Sequence, residues 1–382
     1  MSHNPDLLLT ALDEYPYHQT MAPFPMPSTS DTHFNDGYYF GFYGPGAFAY
    51  LGMRLYPNTN VIDGYAGIAF DGVQRTVRAS RVLRPRVDEL EVGPLKLELI
   101  EPMRKVRLIL AENDAGVSFD VTLDGSSRPF LESPDIHYRA GRLLNHVLRY
   151  TQMCRADGTL VIDGVETEVH RWYGCRDHSW GIRASMGPHI ALRGVEPTLG
   201  DPRAIRIWLP FEVEGEAGLP SRQVGMFALH EDSEGRQLDF DGVLIEGDGD
   251  EQLIVSAEHA FIYTPGTRRL ERGEFAITTE AGARHEYAFE LATPPLSPQG
   301  FGYVRGWQNG QPPGTWRGTE HVENDSFRVD DPSAIAGPDH VEPRRRLGVT
   351  EYPSTLRHAD GRTGMTQIEH AVYKPYRPYG LT

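Results

Sequence analysis

Between Trp172 and Arg183 the sequence reads WYGCRDHSWGIR, setting an arginine, an aspartate, a histidine and a serine among indole and phenol rings. A carboxyl group in an aromatic-lined cavity tends to hold its proton to higher pH and can then act as a general acid. An imidazole serves as base or acid near neutrality. Asp177 and His178 are therefore the residue types from which proton-transfer chemistry is built.

The letters also suggest a hydrolytic triad, and backbone geometry argues against it. The segment follows a run with β character, and neighbours on a strand point to opposite faces. Trp172, Arg176, His178 and Trp180 then share one face, and Tyr173, Cys175, Asp177 and Ser179 the other. Without a bulge near Gly174 or Gly181, Asp177 does not orient His178, nor does Ser179 donate to it. The serine also lacks the first glycine of a nucleophile elbow, since that place is taken by Asp177. The bland alternative is an ion pair that closes one end of a barrel, as a Trp–Arg pair does in lipocalin-type barrels.

Other constellations are looser. Residues 33–58, HFNDGYYFGFYGPGAFAYLGMRLYPN, are dense in aromatics and could line an apolar pocket with Tyr39 and Phe42, with Asn35 and Asp36 as polar anchors. The alternative there is packed core. The GPG at 44–46 lacks the third glycine and the strand–turn–helix setting of a nucleotide loop. Further on, Arg305, Trp307, Trp316, Arg317 and His321 cluster in sequence, and Glu369 and His370 are adjacent, hence on opposite strand faces. Fifteen histidines show no HExxH or other tight ligand spacing, so no catalytic metal is expected unless distant residues assemble a site. The two cysteines, Cys154 and Cys175, are expected to be buried free thiols.

The elements that must hold these groups are strands. PLKLELI, VRLIL and VSFDVTL alternate apolar and polar residues, and turn chemistry separates such runs at Asp163-Gly164, at EDSEGR and at EAGAR. Forty glycines and 29 prolines disfavour helices. Only SPDIHYRAGRLLNHVLRY (133–150) allows one amphipathic helix, or else a long loop. Many short antiparallel strands imply an all-β protein of sandwiches or barrels. The turn-rich stretch 194–204 suggests domains at 1–193 and 194–382, with 330–348 a mobile loop and a last strand beyond it.

Composition narrows the partners. With 37 basic and 53 acidic residues the net charge is −16, which disfavours nucleic-acid binding. No apolar run is long enough to span a bilayer as a helix, and the N-terminus lacks a basic region before its short LLLTAL run. A soluble, cytoplasmic protein is expected. A homodimer is allowed.

GCRDHSWGIR resembles the R-D-H-S-W-G-x-R signature of AttH-like and hydroxyneurosporene synthase (carotenoid 1,2-hydratase)-like proteins. NDGYYFGFY…RLYPN, the block VGPLKLELIEPMRKVRLIL…VSFDVTL and the closing QIEHAVYKPYRPYG are similar in kind and order. The resemblance implies two consecutive lipocalin-like antiparallel barrel domains and a cofactor-free enzyme that holds an apolar substrate beside an acid. It makes Asp177 and His178 the acid–base pair, Arg176 and Arg183 their charge partners, and Tyr173 and Trp180 cavity walls. Tyr39, Phe42, Trp307 and His370 complete the expected substrate surface. The expected activity is hydration, isomerisation or cyclisation of a hydrophobic isoprenoid, steroid-like or aromatic molecule. The alternative is a carrier of a lipophilic ligand.

Overall fold

A computed structural model of the chain describes residues 9–381 apart from 15, 17, 19–20, 140, 188–201, 216–220, 248, 304–305 and 331–348. The stretch 194–204 and the loop 330–348 therefore lie mostly outside the described residues. The architecture is all-β, in two lipocalin-like sheets. The first begins with four long strands, β1 (Phe34–Gly44), β2 (Ala47–Tyr56), β3 (Val61–Phe70) and β4 (Val73–Val82). It continues through β5 (Glu91–Val92), β6 (Leu95–Glu101), β7 (Lys105–Leu110) and β8 (Val117–Gly125). The short β9 (Phe130–Leu131) and β10 (Asp135–Arg139) lead into two very long strands, β11 (Arg142–Ile162) and β12 (Val165–Arg183).

The second half forms β13 (Ile205–Glu214), β14 (Gln223–Glu231), β15 (Gln237–Glu246), β16 (Glu251–Tyr263), β17 (Leu270–Thr279) and β18 (Arg284–Leu291). After β19 (Glu320–Arg328) come β20 (Thr350–His358) and β21 (Thr363–Val372). Eight of these, all except β19, close into a barrel. Strand β19 instead pairs with β4 at the edge of the first sheet, Val322 opposite Ala79. The chain reaches it through a strap that crosses the outer face of β4, where Ser297 N donates to Gln74 Oε1 at 2.8 Å and Gln74 Nε2 to Ser297 O at 3.0 Å.

The alternation in β6 to β8 does what its period demands. Leu95, Leu97, Val106, Leu108, Leu110, Phe119, Val121 and Leu123 all turn into one core with Phe40, Leu51 and Val77. Each such side chain contributes roughly 1.5–3 kcal/mol on burial. The sheet curls until β5 and β6 lie over β3, where Gly64 leaves room: a Cβ there would stand 2.6 Å from Val92 Cγ1. The β11–β12 turn has Asp163 at φ 51° and Gly164 at φ 80°, the left-handed pair that a two-residue hairpin requires.

The stretch 133–150 is neither helix nor long loop; it holds β10 and the first part of β11. Further along β11, at 153–160, the strand is covered on both faces. Cys154 and Leu160 enter the first core, while Met153 packs toward the second barrel beside Trp208 and Met226. A strand buried on both sides loses the period-two signature.

Candidate active site

Strand β12 separates the charged knot into two compartments, as strand geometry requires. Its even-numbered face lines the first sheet's interior. There His178 Nε2 meets Asp36 Oδ1 at 2.6 Å, and its ring stacks on Tyr38 at 4.1 Å with Trp180 at 5.3 Å. Arg176 lies deeper on this face, its Nε donating to Gln152 Oε1 at 2.6 Å. The odd-numbered face looks the other way, toward the second barrel. Cys175 packs there with Trp208 and Met226, and Asp177 follows on the same side. Asp177 and His178 are thus neighbours in sequence and face different spaces.

Asp177 faces the interface between the two sheets, where partly exposed charged side chains mark a recess. From the first sheet it takes Tyr39, Arg54, Tyr65, Arg149, Asp177 and Arg183. From the second barrel come Arg206, Glu351, Gln367 and Glu369, and from the strap Phe301 and Tyr303. Gly52 makes the floor possible, because a Cβ there would sit 2.1 Å from Tyr65 Cζ. With that room the Tyr65 ring lies flat across β2, and Phe301 stacks on it at 4.5 Å and 11°.

Glu351 is the residue that sequence reasoning did not single out. It sits on the outward face of β20, directly opposite Glu369 on β21. Its Oε2 accepts hydrogen bonds from the Tyr39 hydroxyl and from Gln367 Nε2, the latter at 2.7 Å. Its Oε1 has no hydrogen-bond partner among the described residues. Burial, together with the negative charges of Glu369 and Asp177, pushes the Glu351 carboxyl well above the usual range and outweighs those two bonds. Burial also works to raise Glu369, but Arg206, Arg149 and Arg183 together hold it below its usual value. Arg206 Nε donates to Glu369 Oε1 at 2.6 Å. Two facing carboxyl groups are therefore driven apart in proton affinity, the pattern that separates an acid from a base.

Water reaches the mouth of this recess. The side chains of Asp177 and Arg149 are each 16% exposed, Arg206 18% and Glu369 24%. Asp177 Oδ2 lies 3.9 Å from Arg149 Nε, too far for a hydrogen bond, and accepts none from the described residues. Glu132 holds Arg149 from behind at 3.5 Å and is itself fixed by Trp208 Nε1 at 3.1 Å.

Of the residues selected from sequence, Asp177, Tyr39 and Arg183 meet in this recess. His178, Arg176 and Trp180 belong to the first sheet's interior. Phe42 is fully buried there, edge-on to Phe119 at 5.3 Å. Tyr173 lies under the Arg155 guanidinium at 3.8 Å, and Trp307 is a buried residue of the strap itself with Arg317 at 3.8 Å over its ring. His370 points into the second barrel, its Nε2 2.8 Å from the Tyr263 hydroxyl. The thiols of Cys154 and Cys175 are free and buried. Residue 305 lies outside the described residues.

Among the described residues no group of three or more His, Cys, Asp and Glu side chains is placed to hold a metal ion, and no helix is long and apolar enough to cross a membrane. A groove of about 680 Å³ lies on the outer wall of the second barrel, between Ala260, Ala276 and Ala288 and rimmed by Glu258, Glu274 and Glu286. It shares no residue with the recess.

The two-sheet architecture occurs in a solved structure of a Nitrosomonas europaea protein assigned as AttH, with 11% identity and a TM-score of 0.53 over 94% of this chain and 99% of that one. The likeness to AttH-type proteins read from sequence holds at the level of the fold. Kievitone hydratase from Nectria haematococca gives 10% identity and a TM-score of 0.41 over 91% and 93% of the two chains. The structure of CghA with Sch210972 gives 7% and 0.48 over 90% and 89%. No curated protein matches the chain by sequence. A family model does, over residues 9–382, and the chain belongs to that family, the family of unknown function DUF8625.

Proposed function

We propose that the protein is an acid–base enzyme acting on a hydrophobic small molecule held in the recess between its two sheets. The observation that carries this reading is the facing pair Glu351 and Glu369, the first pushed well above the usual carboxylate range and the second held below it by their surroundings. Glu351 is the general acid. Tyr39 and Gln367 grip its Oε2, which leaves the proton on Oε1, where it can be delivered to a substrate double bond or carbonyl. Asp177, loosely held and reached by water, is the carboxylate that takes a proton from water or from the neighbouring carbon. Tyr65, Phe301 and Tyr303 supply flat apolar walls able to steady developing positive charge. Addition of water, double-bond migration and ring closure all begin with that proton. In this reading Tyr39 is a positioning residue, and His178 with Arg176 serves the first sheet's interior.

The test is solvent deuterium incorporation. A panel of isoprenoid alkenes and aromatic enones is incubated in deuterium oxide with the wild type, Glu351→Gln and Asp177→Asn, and followed by NMR. The expected result is protein-dependent carbon deuteration that falls at least about a hundredfold in Glu351→Gln, a loss in the range typical of a removed general acid. Wild-type rates in Glu351→Gln would overturn the assignment.

A further inference from the structure

The recess holds more guanidinium than its carboxylates use. Arg54, Arg149, Arg183 and Arg206 surround it, against Asp177, Glu132, Glu369 and Glu351, whose carboxyl is pushed well above its usual range by burial. Arg206 is committed to Glu369 at 2.6 Å, and Arg54 is held by Asn35 and Ser179. Arg149 leans on Glu132 and, at 3.9 Å, Asp177; its Nε is buried without a hydrogen-bond partner. Arg183 is the outlier. Its backbone N–H bonds His33 O at 3.1 Å, but its guanidinium has no hydrogen bond or ion pair among the described residues. It is half-buried; Arg149 and Arg54 disfavour its charge, and the one carboxylate that favours it, Glu369, is already hydrogen-bonded to Arg206. Burying part of a guanidinium beside two others, with only a shared carboxylate to balance it, is costly unless an anion occupies the site.

We infer that Arg183, backed by Arg149, binds an anionic group of the ligand, so that the molecule taken into the recess is an amphipathic acid. Its carboxylate or enolate lies against Arg183, and its apolar body runs along Tyr65, Phe301 and Tyr303. The inference rests on the recess being the ligand site, as proposed above, and adds the chemical class of the ligand. An arginine fork receives a carboxylate with two parallel hydrogen bonds, which fixes the ligand's orientation as well as its affinity. Anchoring the anionic end in this way would set one part of the apolar body against Glu351.

The test uses the full chain and two probes, 11-(dansylamino)undecanoic acid and its methyl ester, titrated by fluorescence against wild type, Arg183→Gln and Arg183→Lys. Expected is one acid-binding site, at least about tenfold tighter than the ester. Arg183→Gln should abolish that preference while leaving ester affinity unchanged, and Arg183→Lys should keep much of it. Equal binding of acid and ester by the wild type, a comparison that needs no variant, overturns the inference. So does a preference that survives in Arg183→Gln. Either result leaves the acid–base reading of Glu351 standing, because deuterium incorporation tests that separately. Binding of neither probe overturns the recess as a lipophilic ligand site and the inference with it.

Discussion

Arg155 grips both carboxylate oxygens of Glu212 at 2.8 Å, joining β11 of the first sheet to β13 of the second barrel in a setting where Glu212 is wholly buried. The Arg155 guanidinium also covers the Tyr173 ring at 3.8 Å, and the Ser126 hydroxyl donates to Glu212 at 2.7 Å. Removing Arg155 leaves the buried Glu212 with only the Ser126 hydroxyl and, at 3.8 Å, Arg222. Arg155→Met should therefore cost about 3–5 kcal/mol in urea unfolding, and Arg155→Met combined with Glu212→Leu should recover most of it. A loss below about 1 kcal/mol for the single variant would mean that the pair is not structural.

Glu351 sets a pH dependence of stability with a definite sign. The unfolded chain releases this proton near pH 4.3, the folded chain well above it. Between those values the folded state binds more protons, so stability falls as pH rises, by up to about 1.4 kcal/mol per pH unit. The contribution is complete in acid and lost as pH climbs toward the folded-state value. Glu351→Gln has no proton to lose. It should match the wild type near about pH 4 and exceed it near about pH 8, as read from urea midpoints. Parallel midpoints at both pH values would show the carboxyl to be ordinary.

His370 gives the opposite slope. Burial in the second barrel lowers its pKa to about 4, against a weaker upward pull from the bond its Nδ1 makes to Arg206 O at 2.7 Å. An unfolded histidine takes its proton near pH 6.5, so acid favours the unfolded chain. Up to about 3 kcal/mol should be lost as pH falls from about 6.5 to about 4. His370→Gln, which has no such proton uptake, should flatten that limb of the stability profile; an unchanged limb would assign it elsewhere.

Neither thiol should react in the native state. Cys154 lies in the first core with its pKa pushed up to about 12 by burial, and Cys175 is sealed between the sheets beside Trp208. A thiol is nucleophilic only as thiolate. Ellman's reagent should register no thiol until the chain unfolds, and then two. Rapid labelling of the folded protein would contradict the packing described.

The local parts of this fold were open to reading from sequence. Period-two runs placed β6, β7 and β8, and Asp163-Gly164 placed the β11–β12 turn. The same parity showed that Asp177 and His178 cannot act together. What lay across each face was not readable, because it depends on pairings between distant strands. Most of β11 escaped for a related reason: where it is covered on both sides, at 153–160, no alternation is left. Glu351 carried no motif. Its chemistry arises from Glu369 across the ladder and Tyr39 from the other end of the chain. The one hint in the sequence was an acidic residue in each of the last two strands, placed so that a hairpin brings them face to face.

The position of β19 has a consequence for how the protein is made. Strand β4 leaves the ribosome early, yet its hydrogen-bonding edge is covered only by Glu320–Arg328. At about 5–20 residues per second the nascent first sheet waits roughly 10 s or more with that edge bare. An unpaired strand edge is a template for pairing with another chain. The buried Arg78, which bonds Glu323 on β19 at 2.8 Å, meanwhile keeps a positive charge on that edge, a deterrent that disappears into an ion pair once the late strand arrives.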